Sequence, residues 1–289
     1  LIYRKDLFED PKNRKEYKHR YQKDLTPPQT WDDFLNIATF FQRPERGLYG
    51  SVFAAYPDGH NAVFDFCLQV WTRGGLLTDT DGNVYIDSTA ALQGLQFYRT
   101  LFCQSDCLHP DSSEMESVCA GAAFSRGEVS MMINWFGFAA FCELSENALV
   151  KGKIDVTAIP HGASGESASL NSYWMYMIGK GSSEKQLAYD FIKFATNREN
   201  DQLLTKEGGI GCRISTCNSD EINKIIPYFQ KLKPLHENAK TLPGISFWPE
   251  IAAIIDDVMQ KTIHTTDQIQ RILKEGQVLI NKIYTNHGY

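Results

Sequence analysis

The sequence predicts an α/β fold, with strands and helices alternating along the chain. Three observations carry this. Apolar residues recur at helical spacing in several segments. Short apolar or alternating runs, at 129–135 and 154–159, lie between those segments. Turn chemistry, such as Asp79-Thr-Asp-Gly-Asn83, punctuates them. The chain of 289 residues is 43% hydrophobic, enough for a large core in one big domain or two ordinary ones.

In order, residues 10–23 are dense in charge and read as a solvated loop or helix rim. Thr30-x-x-Asp33 is a capping-box signature after Pro27-Pro28. Trp31, Phe34, Leu35, Ala38 and Phe41 then form one helical face. Residues 48–55 read as a strand and 79–83 as a turn. A helix over 89–102 turns Leu92, Leu95 and Phe102 inward. Residues 129–135 read as a buried strand, and 154–159 as a strand ended by Pro160. Residues 161–169 are a Gly/Ser-rich loop, and 173–178 are expected to be another strand. Ser183-x-x-Gln186 is expected to cap a helix carrying Leu187, Phe191, Ile192, Phe194 and Ala195. Pro249 suits the first turn of a helix with Ile251, Ile254, Ile255, Val258 and Met259 on one face. A last helix is expected from near Thr266.

Charge and length exclude several classes. The net charge of −6, with no basic stripe interleaved with aromatics, argues against nucleic-acid binding. The longest apolar run, 131–142, is far short of the about 20 residues that cross a bilayer. The opening Leu1-Ile2-Tyr3 is strand-like rather than a signal peptide, so the chain reads as starting in mid-fold.

Catalytic and metal motifs fail on inspection. A calcium loop around Gly82 would need acids where Leu77 and Ser88 stand. Cys103, Cys107 and His109 lack a further ligand pair for zinc. Residues 162–166 lack the second glycine of a nucleophile elbow. Gly208-Gly-Ile-Gly211 is followed by Cys212, not the Lys of a phosphate loop. No active site, metal or cofactor is expected. Seven cysteines leave one odd. Cys212/Cys217 and Cys103/Cys107 are bridge candidates by spacing, with buried free thiols the alternative.

Phrases spread over nearly the whole chain resemble one family. They are Leu1-Ile-Tyr-Arg-Lys-Asp-Leu-Phe8, Pro27-Pro-Gln-Thr-Trp-Asp-Asp33, Gly74-Gly75 with Asp81-Gly82, and the strand phrase running from Ala123 to Trp135. Ile159-Pro160, Tyr173-Trp174, Ala188 to Phe194, Arg213-Ile-Ser215 and Leu242 to Trp248 follow in order. Together they resemble the family 1 extracellular solute-binding proteins, receptors of ABC importers. The resemblance implies a two-lobed type II periplasmic-binding fold that lacks the first half of its N-terminal lobe. Residues 1–151 would open the C-terminal lobe. Residues 152–211 would be the remaining part of the N-terminal lobe, and 212–289 would return to the C-terminal lobe with closing helices. Cysteines are denser than the family usually carries.

The implied function is capture of a carbohydrate in a periplasmic or extracellular space, without chemistry on it. Delivery to ABC transporter permease subunits follows, from a monomer held at the membrane only by the permease or by an N-terminal lipid anchor. A glycoside hydrolase and a sensory or scaffold protein are the alternatives. A sugar needs flat aromatics against its C–H faces and charged or amide groups at its hydroxyl rim. Trp135, Trp248, Trp174, Tyr173 and Tyr56 are the candidate aromatics. Arg213, Asp65, Glu250, Asn134 and His60 are the candidate rim groups. Each has a packing role as its alternative: core tryptophans, an interlobe ion pair for Arg213, and helix N-terminal charge for Glu250.

Overall fold

A computed structural model describes residues 1–289. In chain order the elements are β1 (Ile2–Arg4), α1 (Lys5–Glu9), α2 (Pro11–Tyr21), α3 (Trp31–Phe41), β2 (Tyr49–Val52) and α4 (Asn61–Trp71). Then come α5 (Thr89–Cys103), α6 (Ser117–Ser125), β3 (Val129–Met132), α7 (Phe136–Leu144), β4 (Ile154–Val156) and β5 (Ser169–Leu170). The remainder is α8 (Lys185–Ala195), α9 (Arg198–Lys206), α10 (Ile214–Cys217), α11 (Asp220–Ile225), α12 (Leu232–His236), β6 (Ala239–Lys240), α13 (Trp248–His264) and α14 (Ile269–Asn286).

The main sheet has strand order β2-β3-β1-β4. β2 and β3 are parallel, while β1 runs antiparallel to both β3 and β4. Side chains alternate across it, as strand geometry requires. Leu1, Tyr3 and Met131 enter a core of 44 buried residues with α3, α4, α5, α13 and α14. Ile2, Met132, Ile154 and Val156 enter a second core of 17, with α6, α7 and α11. The sheet is therefore the middle of three layers. Helix α3 lies so close to β2 that a Cβ at Gly50 would collide with the Ala38 carbonyl.

The local signals act as the sequence implies. Thr30 accepts from the Asp33 N–H at 3.1 Å and donates to its carboxylate at 2.8 Å, closing the cap of α3. Ser88 caps α5 at Ala91 N–H. Asp79 accepts from the backbone of Asp81 and Asn83, both at 2.9 Å, which makes 79–83 a turn. The charged stretch 10–23 is mostly α2, anchored by buried Asn13 and Tyr17.

Three expectations are corrected. Residues 173–178 belong to no regular element, and none of their N–H groups has a backbone acceptor, so no strand forms. Alternation marks a segment that can pair; a ladder also needs a neighbour. Helix α8 begins at Lys185 with Glu184 at its N-cap and no side-chain cap, because a turn over 179–182 places Ser183 one residue too early. The last helix starts at Ile269, three residues after Thr266. Helix α13 does begin with Pro249 in its first turn.

Candidate functional site

Because β2 and β3 are parallel neighbours, their carboxyl ends lie at one edge of the sheet, where ligand crevices of α/β sheets open. The chain leaving β2 carries Tyr56 and His60; the chain leaving β3 carries Asn134 and Trp135. The structure brings these four to the same edge.

Residues 53–61 are held as a shaped loop. Ala55 N–H donates to the Ser112 carbonyl and Tyr56 N–H to that of Met115, both at 3.1 Å. The Asp58 carboxylate accepts from His60 N–H at 2.9 Å and from Asn61 N–H at 2.8 Å, so it caps the start of α4. It also accepts from the Asn61 amide at 2.6 Å. Gly59, at φ +78°, turns its N–H onto Asp256 of α13 at 2.5 Å. Burial raises the Asp256 carboxyl to about 6, against the bond from Gly59, and its other oxygen is enclosed without a partner.

On this loop Tyr56 is 46% exposed. Trp135, at the N-cap of α7, is half-buried and meets the Phe64 ring edge-on with centroids 5.5 Å apart. His60 also meets the Phe64 ring edge-on, with centroids 5.8 Å apart. Aromatic edges and faces are thus presented together on a shelf backed by α4. Asn134 is spent locally: its amide donates to the Ser117 carbonyl at 2.8 Å, and its oxygen accepts from Trp135 N–H at 2.8 Å. It fixes the turn that aims Trp135.

Trp248 opens α13 and is half-buried against the larger core. It stands eight residues before Asp256, so about 12 Å along the helix from the Gly59 contact. Glu250 is exposed and pairs with His287 at 2.9 Å.

Asp65 is replaced as a rim group by a core role. It is enclosed, accepts from the Tyr98 hydroxyl at 2.8 Å, and is pushed up to about 8 by burial. Its neighbour Phe64, which the sequence reading did not single out, faces the shelf instead, since adjacent helical positions point about 100° apart. The available signal was Phe64's place one turn after His60.

The remaining candidates lie in residues 171–217 and are not joined to the shelf. Trp174 is fully exposed. The Tyr173 hydroxyl lies 3.4 Å from His236. Arg213 makes no ion pair; its guanidinium donates to the Thr196 carbonyl at 2.7 Å. Two concavities of about 450 Å³ lie away from the shelf, one between α5 and the start of α14, the other between Trp71, 164–168 and 237–240. No three His, Cys, Asp or Glu side chains gather in a way that could hold a metal ion. No helix is long and apolar enough to cross a membrane.

The body is thus three-layer α/β, with an aromatic shelf at the carboxyl ends of its parallel strands. The chain belongs to the bacterial extracellular solute-binding protein family, whose model matches residues 1–202. It is 24% identical over 250 residues to a probable ABC transporter-binding protein of Deinococcus radiodurans, covering 84% of this chain and 56% of the relative. The chain thus spans little more than half of that relative's length. Among solved structures it is similar to the maltose-bound MalE3 of T. maritima, with TM-score 0.84 and 23% identity over 98% of this chain and 69% of that one. A solute-binding protein of Agrobacterium radiobacter in complex with ribitol gives TM-score 0.85 at 22% identity, over 98% and 68%. One from Thermotoga lettingae bound with α-D-tagatose gives 0.82 at 19%, over 98% and 69%. At these identities the likeness establishes the fold.

Proposed function

We propose that this chain is the ligand-holding part of an extracytoplasmic carbohydrate receptor that serves an ABC importer and leaves its ligand unchanged. The observation that carries the reading is the shelf of Tyr56, His60, Phe64 and Trp135 at the shared carboxyl ends of β2 and β3. Flat rings there can cover sugar C–H faces, while the His60 Nε2 and the Tyr56 hydroxyl offer groups to sugar hydroxyls. Maltose, ribitol and tagatose in the structures it resembles support a polyhydroxylated ligand. Trp248 and Trp174 are the aromatics we assign to the far walls, and Arg213, Glu250 and Tyr173 the polar groups near them.

The same reading takes residues 1–151 and 212–289 as one lobe; β4 pairs with β1 in that lobe's sheet, so the boundary expected at residue 152 is moved beyond Val156, and the chain from there to residue 211 is part of the other lobe. Backbone crossings then act as the hinge; periplasmic binding proteins are the standard example of such closure around a ligand.

A thermal-shift screen of maltose, longer maltodextrins, pentitols and ketohexoses tests this. Ligand at ~100 times its dissociation constant adds about 2.7 kcal/mol of stability. A shift with a polyol or sugar, and recovery of that molecule intact, is the expected outcome. Stabilisation only by peptides or metal chelates would overturn the ligand class, and turnover of the sugar would overturn the receptor reading.

A further inference from the structure

The cysteines divide into two groups by their surroundings. Cys67 and Cys142 are buried singly, and burial lifts both thiols. Cys103 donates to the Ile263 carbonyl at 3.2 Å, and Cys107 shares a hydrogen bond with the Ser105 hydroxyl at 2.9 Å, so these two face different partners. Cys119 is exposed beside Glu116. Cys212 and Cys217 are also free thiols, with the Cys212 sulfur 3.8 Å from the Ile210 carbonyl, but one knot of hydrogen bonds draws their backbones together.

The centre of that knot is Asp201, a buried carboxylate on α9. It accepts from Cys212 N–H at 3.0 Å, from Arg213 N–H at 3.3 Å and from the Thr216 hydroxyl at 2.5 Å. Gly211 N–H donates to the Thr205 hydroxyl at 3.0 Å. The Arg213 carbonyl then accepts from both Thr216 N–H and Cys217 N–H, at 2.9 and 3.2 Å. Cys212, Arg213 and Thr216 are therefore pinned to the same carboxylate, and the chain between the two cysteines is folded into one tight turn. Tyr173 lies beside both, and its hydroxyl is raised by the two thiols as well as by burial.

We propose that Cys212 and Cys217 close a disulfide that staples the crossing at 209–213 to helix α10. The family is extracellular by description, a setting that favours disulfides. The reaction is exchange with an external disulfide oxidant. A thiolate of the pair attacks the oxidant, one half of the oxidant leaves as a thiol, and the second cysteine displaces the other half. Two protein thiols lose two protons and two electrons, one protein S–S bond forms, and the oxidant's S–S bond becomes two thiols. Burial raises both protein thiols, with Asp201 adding to each. This inference does not depend on the ligand.

The test is peptide mapping of the folded full chain after incubation with glutathione disulfide and trapping with iodoacetamide, without reduction. The peptide spanning Cys212 to Cys217 is expected to have lost two hydrogens and to carry no alkyl group. Reduction before trapping should restore two alkylation sites. In Cys212→Ser, Cys217 is expected to be alkylated or joined to glutathione. The oxidised protein should also melt above the reduced one, and Cys217→Ser should remove that difference. Two alkyl groups, or two glutathione adducts, on the 212–217 peptide of folded wild-type protein would overturn the proposal. So would a bridge from either cysteine to Cys103 or Cys119.

Discussion

Residues 1–151 with 212–289, and residues 171–210, are written in similar amphipathic text but end in opposite states. In the first region Phe34, Phe41, Phe53, Phe66 and Phe124 are all buried around one sheet. In the second, α8 carries Leu187, Phe191 and Phe194 on its surface and has no buried residue at all. Met175 and Met177 are likewise exposed, in residues that join no ladder. The difference teaches that periodicity specifies which face wants cover. Whether the face is covered depends on a neighbour that the periodicity does not supply.

The comparison can be broken most sharply by matched truncations. Phe34→Ala removes a ring packed against Trp31 and Phe53 and should cost about 3–5 kcal/mol in urea unfolding. Phe191→Ala, on the bare face, should stay within about 0.5 kcal/mol. Similar losses for the two would mean that α8 is covered in solution.

Trp135→Ala should come next, at the edge between covered and open surface. It is expected to weaken sugar binding by about 2 kcal/mol, or roughly 30-fold, in titration calorimetry. Unchanged affinity would remove the shelf from the binding site.

Asp65→Asn sharpens the account of the first region by pH. The folded Asp65 carboxyl titrates near 8 and the unfolded one near its ordinary 3.8, so the folded state holds the extra proton between them. Stability therefore falls as pH rises through that window and levels off above it. The amide variant should flatten the melting-temperature profile from pH 6 to 8. It should keep a slope at lower pH, because Asp256 titrates near 6 with the same sign. A profile identical to wild type would refute the enclosed, protonated carboxyl.

The smallest effect on stability is expected for Trp174→Ser, since a fully exposed ring has no packing to lose. Its signature should be lower self-association in light scattering, as an exposed apolar patch is reduced.

Much of the first region was legible. Thr30 and Asp33, the 79–83 turn, Pro249 and the strand positions 49–52 and 129–132 are set by short-range chemistry that a sequence displays. Of the proposed shelf, Tyr56 and Trp135 were the members that the sequence singled out, as aromatics following strands. Asp65 misled because an acid near a loop reads as a rim group, while its direction on α4 is fixed by packing against Tyr98. Phe64 was hidden for the same reason, since one helical step separates shelf from core. The 173–178 strand was misread because alternation is a property of one segment and pairing a property of two.

By itself, then, the sequence determined the apolar faces of the helices it displayed, the Thr30 cap, the 79–83 turn and the aromatic-rich character of the strand ends, all of which depend on residues within a few positions of one another. Only the tertiary structure decided that β2 and β3 run parallel, so that Tyr56 and Trp135 share an edge. It also decided that Asp256 holds Gly59 across 197 residues and that Asp201 gathers Cys212 and Thr216. Those contacts join segments far apart in the chain, and their partners are chosen by burial and hydrogen-bond satisfaction in three dimensions rather than by any local pattern.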